Sequence, residues 1–332
     1  DKAGNYRSVV DEKVGKDRHW NLKRLSSREN PLVIFTLSTQ AVIGAFLLTF
    51  IGPLVGFDSL SPVAQGAGYL PMLITLVLIQ AGVLVLSTLH LGKPLRFYRG
   101  FNNLRYSPLS REALGIALFF TGLAGYTFFA LLDAWFDLWI LQIAMWVMGV
   151  LATVSALVGL YFMHCIYRIR ARPFWNHWQV LTSFYGTVAS LGAVLLSVFV
   201  LPAQILAGVD YVPTLQILAT MGALGLIAEG IGLIAHARYL NKEEGEGAAA
   251  HYVQWTTFGN TYVLRNVLMG ASAVLLLAMA LFAPSGMGAL ALFALAALTT
   301  VVGLGIGRAL FYILVIPTTM PGAFFWKNKG FE

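Results

Sequence analysis

Along this chain apolar residues neither alternate with polar ones nor keep to one face of a helix. They come in unbroken stretches of about 20 residues or more, the length an α-helix needs to cross a bilayer, and a helix that is apolar all round has no aqueous face. Eight such stretches stand at 32–56, 67–89, 112–132, 138–164, 179–206, 214–236, 261–283 and 289–316. Asn30 followed by Pro31 predicts the start of the first, an N-cap side chain and then a residue that suits the first helical position. The pattern predicts an all-α, polytopic membrane protein with eight transmembrane helices in a bundle. A charged extramembrane arm over 1–31 precedes the eight-helix domain over 32–316, and a tail follows over 317–332. The short segment 241–251, Asn-Lys-Glu-Glu-Gly-Glu-Gly-Ala-Ala-Ala-His, predicts a flexible loop.

Composition agrees with this reading and narrows it. With 58% hydrophobic and 11% charged residues over 332 positions and a mean hydropathy of +0.74, no soluble domain of any size is left over. The arm carries eight basic residues (Lys2, Arg7, Lys13, Lys16, Arg18, Lys23, Arg24, Arg28) and no apolar run, so no cleavable signal core is expected ahead of the first span. Eight spans return the chain to the side on which it began. The linkers on that side hold Lys93, Arg96, Arg99, Arg105, Arg111, Arg168, Arg170, Arg172, Arg238 and Lys242, with Lys327 and Lys329 in the tail. The opposite linkers hold only acidic charges: Asp58, Asp133, Asp137 and Asp210. The positive-inside rule then predicts cytoplasmic termini and long loops, although docking to a partner is another use of the same charge. Because the basic residues follow topology, the net charge of +7 does not point to nucleic acid. Cys165 is the one cysteine, which excludes an intrachain disulfide and an iron–sulfur cluster ligated by this chain alone.

Charge within hydrocarbon is costly, so ionisable residues in spans are the first places to seek function. They are Glu112 at the opening of span three, His164 at the close of span four, Glu229 and His236 in span six, Arg265 near the start of span seven and Arg308 in span eight, with His90 at the exit of span two. All fall in the half of the membrane nearest the long loops. A one-sided cluster argues against a transport path, which needs access from both faces and discontinuous helices in matching halves. It suits a lipid-soluble quinol, whose ring enters from the bilayer, whose two electrons leave to an acceptor and whose two protons pass to a base near water. Histidine accepts a proton readily near neutral pH, and a carboxylate at the same depth can relay it. A guanidinium as deep as that of Arg308 wants a carboxylate or carbonyl partner, which predicts pairing with a quinol-site acid or a place facing the quinol. Glu229 and His236, seven apart, share a helix face and read either as a proton path or as an interhelical hydrogen-bonded pair. The glycines Gly222, Gly225, Gly230, Gly232, Gly303, Gly305 and Gly307 predict close helix packing. Trp20, Trp135, Trp139, Trp175, Trp178 and Trp326 read as an interfacial belt.

The densest signal is 89–112, where His90 leaves a helix, Gly92 permits close backbone approach, Pro94 stops the helix, and Arg96, Arg99 and Arg105 follow. One reading makes this a structural surface: His90 caps a helix C-terminus, the arginines anchor to headgroups, and Glu112 sits on a helix dipole behind an N-cap Ser110. The other makes it a quinol site, with Tyr98, Phe101 and Tyr106 stacking on the ring or anchoring at headgroup level.

The stretch His90-Leu91-Gly92-Lys93-Pro94 with Arg96, followed by Leu109-Ser110-Arg111-Glu112, resembles the membrane anchor subunit of the dimethyl sulfoxide reductase family. The similarity continues at Arg170-Ala171-Arg172-Pro173-Phe174-Trp175-Asn176, at Gly307-Arg308-Ala309-Leu310-Phe311-Tyr312 and at Met320-Pro321-Gly322. The resemblance implies an eight-helix subunit without haem or metal of its own, in the bacterial inner membrane. It implies partners, a molybdopterin catalytic subunit and a four-cluster iron–sulfur subunit, and electron exchange with menaquinol in anaerobic respiration. It further implies that His90 and Glu112 line the quinol site and that Gly92 and Arg96 shape it. The charged arm and the charge asymmetry depart from the family pattern. A cytoplasmic-facing sulfite dehydrogenase that reduces quinone therefore competes with an S- or N-oxide reductase. A scaffold that only holds soluble subunits remains a separate possibility, and bis-histidine haem ligation finds at most one site among His90, His164 and His236.

Overall fold

In the computed structural model, which describes residues 18–26, 29–89, 91, 93–242 and 246–315, eight long helices follow one another as antiparallel neighbours. They are α1 (Asn30–Phe50), α2 (Tyr69–Leu89), α3 (Pro108–Phe136), α4 (Trp139–Tyr167), α5 (Gln179–Leu206), α6 (Val212–Leu240), α7 (Gly259–Phe282) and α8 (Gly286–Ile313). At 21 to 29 residues each they are about 31–43 Å long, enough to cross the hydrocarbon core. No strand occurs among the described residues. That is the expected solution in lipid, where each backbone N–H and C=O must find its partner within the segment. His90, Gly92, the arm before Arg18 and the tail from residue 316 lie outside the described residues.

Helices α1 and α5 form the middle of the bundle: 61% and 56% of their most apolar windows are buried, against 28–44% for the other six. Helix α5 packs on α1, α4, α6 and α8, and α1 packs on α2, α4, α5 and α8. Between helices in lipid the hydrophobic effect is weak, so close van der Waals approach has to hold them. At the α1–α5 crossing Gly44 and Gly192 meet backbone to backbone, a Cβ on Gly44 falling 1.9 Å from the Val188 carbonyl oxygen. Gly186 and Gly225 make the same approach between α5 and α6. Of the glycines expected to pack, Gly222, Gly225, Gly232, Gly303 and Gly307 do so, whereas Gly230 and Gly305 face open space.

Several boundaries differ from the sequence pattern, each for a local reason. Helix α1 ends at Phe50 rather than near residue 56, because Pro53 has no N–H to continue it. The chain tightens into a 3-10 turn, Gly52–Val55, closed by Gly56 at φ 96°. Helix α1 also begins at Asn30 itself, with Glu29 at the N-cap position making no side-chain capping bond, and the Asn30 side chain turns back to donate to Ser26 Oγ at 2.9 Å. Helix α3 begins at Pro108, and its cap is Ser107, whose Oγ accepts from the Ser110 N–H at 3.3 Å; Ser110 is inside the helix. Part of the segment read as a flexible loop is a helix, Glu246–Trp255, because Ala248-Ala249-Ala250 favours the helix and buries Ala249, Ala250 and His251. The described end of the arm is not free in solvent either. His19 exchanges backbone hydrogen bonds with Thr256 and Asn260 at 3.0 and 3.2 Å, the Thr261 hydroxyl donates to the Trp20 carbonyl, and Arg18 stacks on Trp255.

Candidate functional site

The loop that joins α2 to α3 carries the densest sequence signal, and it stands proud of the bundle. Pro94–Phe101 winds as a 3-10 stretch in which Leu95, Arg96, Phe97 and Tyr98 are all exposed. Such a run of exposed apolar and basic side chains is made to meet something other than water. Arg96 lines neither of the two cavities described below. The loop's return to α3 is tied by Arg111, which donates through Nε to the Leu104 carbonyl at 2.7 Å and through Nη2 to that of Arg105.

Immediately below lies Glu112, in the second turn of α3 and 8% exposed. No described side chain hydrogen-bonds it. At the loop-side ends of α4 and α8 the hydroxyls of Tyr167 and Tyr312 are hydrogen-bonded to each other at 2.6 Å. Both lie within electrostatic range of the Glu112 carboxyl and of the Arg308 guanidinium.

Arg308 is 4% exposed, and its Nη2 donates to Gln40 Oε1 on α1 at 2.9 Å and to Thr187 Oγ on α5 at 3.3 Å. Its guanidinium lies 4.2 Å above the Phe184 ring, a contact worth up to about 2 kcal/mol where water is excluded. Glu229 on α6 accepts from Ser183 Oγ at 3.0 Å. The Thr187 hydroxyl has one hydrogen, and its 2.7 Å bond to the Ser183 carbonyl is better placed than the 3.4 Å approach to Glu229 Oε2. Arg308 and Glu229 thus share a neighbourhood through Thr187 without a direct ion pair. Thr187 lies between Arg308 and Glu229, whereas the expectation set a quinol-site acid or the quinol itself before the guanidinium.

Arg308, Glu229, Arg265 and His236 surround a cavity of about 30 Å³, room for one or two water molecules and far too small for a quinone ring. Arg308 Nη1, Arg265 Nε and His236 Nε2 have no protein partner among the described residues. Glu229 and His236 do share a helix face, as their spacing predicts, and both line this cavity. His164 sits in the last turns of α4 with Nδ1 2.6 Å from its own Tyr161 carbonyl, a local contact away from the cavity.

Three groups of site residues were not singled out from sequence. Gln40 and Thr187, uncharged and deep in spans, escaped a search for ionisable groups. Tyr167 was not named, and Tyr312 stood only as the last residue of the stretch Gly307–Tyr312. His177, in the linker after α4, stacks between His236 and Tyr239, with ring centroids 5.1 Å from each. Burial, with Arg168 adding to it, holds the His177 imidazole below its usual pKa, consistent with its Nδ1 accepting from the Gln179 N–H at 3.1 Å. A further correction concerns Trp175, which belongs to the core and not to the interfacial belt. It is 6% exposed, its Nε1 donates to the Phe311 carbonyl at 2.7 Å, and its ring stacks on Phe311 at 5.3 Å. The aromatic stretches at 173–176 and 307–312 are therefore two halves of one packed unit beside the tyrosine pair.

The family model described as DMSO reductase anchor subunit (DmsC) matches residues 25–314. The protein is similar to the C subunit of the anaerobic dimethyl sulfoxide reductase of Haemophilus influenzae, 28% identical over 291 residues that cover 86% of this sequence and 94% of the relative. It is also similar to the YnfH subunit of an anaerobic dimethyl sulfoxide reductase of Escherichia coli, 26% identical over 218 residues that cover 62% of this sequence and 69% of the relative. A match that takes in all eight helices places this protein in the DMSO reductase anchor subunit family.

Proposed function

We propose that the protein is the quinol-reactive anchor of a molybdenum oxidoreductase complex, and that the chemistry takes place between the 90–107 loop and Glu112. The observation that carries this reading is the buried Glu112 carboxyl, left without a described side-chain partner in the first turns of the helix that follows an exposed aromatic and basic loop. A quinol gives up two electrons and two protons together. His90 at the start of the loop and Glu112 in the helix that follows it are two proton-accepting groups, and the hydrogen-bonded Tyr167–Tyr312 hydroxyl pair lies within electrostatic range of Glu112. Menaquinol is the substrate class that the family resemblance supports. The single Cys165 cannot ligate a cluster, so the electrons pass to an iron–sulfur partner docked over the basic loops, and from there to a molybdopterin catalytic subunit.

One feature favours a second reading of direction. All basic linker residues lie on the loop side and none opposite, which by the positive-inside rule turns the loops and their partners toward the cytoplasm of a bacterial inner-membrane protein. In that orientation the same site serves equally for reduction of quinone by electrons arriving from a cytoplasmic sulfite dehydrogenase.

The test is turnover of the assembled complex with a menaquinol analogue for His90→Ala and Glu112→Gln, beside turnover with a soluble dye donor. Loss of a positioned acid–base group costs about 10²–10⁴-fold. The expected result is a quinol-dependent loss of that size with dye turnover and subunit stoichiometry unchanged. Retention of quinol turnover in both variants overturns the assignment, and loss of both activities together makes the loop a structural element.

A further inference from the structure

At the opposite end of the bundle lies a second and much larger cavity, of about 520 Å³, between α1, α2, α3 and α4. Along α3, Tyr126 in its wall is fourteen residues beyond Glu112 and Asp133 twenty-one, about 21 and 31 Å away by helical rise. It is therefore a separate place from the loop-side site. Its size is within the range of small-molecule pockets, roughly 300–1,000 Å³, and its make-up is the usual one, mostly apolar with a few convergent polar groups.

Aromatic rings form its inner wall. Phe50 meets Trp146 edge-on at 5.3 Å and Tyr126 at 5.7 Å. The hydroxyls of Tyr69 and Tyr126 are hydrogen-bonded at 2.6 Å; that bond uses one of their two hydrogens and leaves the other to donate. Asp133 lines the same wall and brings a carboxylate to it, with Oδ1 buried and without a described partner. At the rim Leu54 and Trp146 are 55% and 51% exposed, so the mouth opens on the lipid-facing surface and not into the core.

We infer that this cavity binds a second lipid-soluble molecule of the quinone class: a flat, neutral ring with oxygens that both accept and donate hydrogen bonds. An aromatic wall suits a ring face or edge. The Tyr69–Tyr126 pair can donate to a ring carbonyl, and Asp133 can accept from a ring hydroxyl. An acyl chain would fill the volume but leave both polar groups unmet. The choice of quinone within this chemistry rests on the proposed function, whereas the cavity and its polar groups do not.

The test is photolabelling of the assembled complex in lipid nanodiscs with an azido derivative of menadione, followed by peptide mapping. Label is expected at two places, the 90–112 loop and the 126–146 turn, each displaced by excess menadione and neither by oleate. Ala134→Phe, which intrudes on the mouth, should abolish label at 126–146, keep it at the loop and leave dye turnover unchanged. Tyr126→Phe, which keeps the ring and removes a hydroxyl, should weaken displacement by menadione about five-fold. Absence of saturable label at 126–146, or its displacement by oleate, overturns the inference. So does label there that is indifferent to both substitutions. Because the loop label reports on the loop-side site by itself, the two assignments stand or fall separately.

Discussion

The Gly44–Gly192 crossing offers a test of how the bundle's packing reaches its polar centre. An alanine Cβ at Gly44 lies 1.9 Å from the Val188 oxygen, and ordinary contact begins at 3.4 Å, so α1 and α5 must part by about 1.5 Å. The obstacle is backbone, which has no rotamer to yield. Gln40 lies one turn earlier on the same face of α1 and accepts the Arg308 hydrogen bond at 2.9 Å. A displacement of that size takes the bond out of range and leaves a buried guanidinium with the weaker Thr187 contact. Overpacking costs about 1–3 kcal/mol, and losing a hydrogen bond to a charged group about 1.5–3 kcal/mol more. A combined loss of about 2.5–6 kcal/mol lowers Tm by about 5–12 °C in a protein of this size. The assay is thermal unfolding of the detergent-solubilised complex, with Gly230→Ala and Gly305→Ala as controls because nothing lies within 4 Å of either Cβ position. The controls should hold or raise Tm. A Gly44→Ala complex within 1 °C of wild type, or controls that lose as much as it does, refutes the argument.

Arg308→Ala removes the donor to Gln40 and a counter-charge near Glu229, and the loss of one buried charged partner is expected to cost about 3–5 kcal/mol. The yield of assembled complex and quinol turnover should both fall, with Arg308→Lys intermediate; unchanged assembly and turnover for Arg308→Ala would show the group to be idle. Ser107→Ala removes the cap of α3 and should cost about 1 kcal/mol, read as a lower Tm, with Ser110→Ala nearly neutral in comparison. His177 and His251 are each held below their usual value of 6.5 by burial, so at mildly acidic pH the unfolded chain binds more protons than the folded one. Their contribution to stability is complete above about pH 6.5 and is lost as pH falls below it. A Tm that drops between pH 7.5 and 5.5, and drops less in His177→Gln, is the expected outcome, whereas a flat profile in wild type contradicts it.

How much of this was legible beforehand can be judged residue by residue. Eight spans and their order follow from unbroken apolar length, because a bilayer sets one thickness for every crossing and leaves little to context. Ser107 and Pro53 show the limit on boundaries, where single-turn backbone chemistry decides within a few residues. Glu112 and Arg308 could be flagged because an ionisable group in hydrocarbon is rare enough to be a signal by itself. Their setting could not. Gln40, Thr187, Tyr167 and Tyr312 come from four different helices, and no spacing along one helix announces that they converge.

Tertiary packing alone decided which acid stands near Arg308, that the cavity around it is sized for water and not for a ring, and that Trp175 is interior. It alone assembled the larger cavity from Phe50, Tyr69, Tyr126, Asp133 and Trp146. The physical reason is common to all of these. The sequence alone settles what must cross the membrane, since that depends on local hydropathy and length. What meets inside depends on which helix faces touch, and this is set by close backbone contacts such as Gly44 on Gly192 between segments almost 150 residues apart.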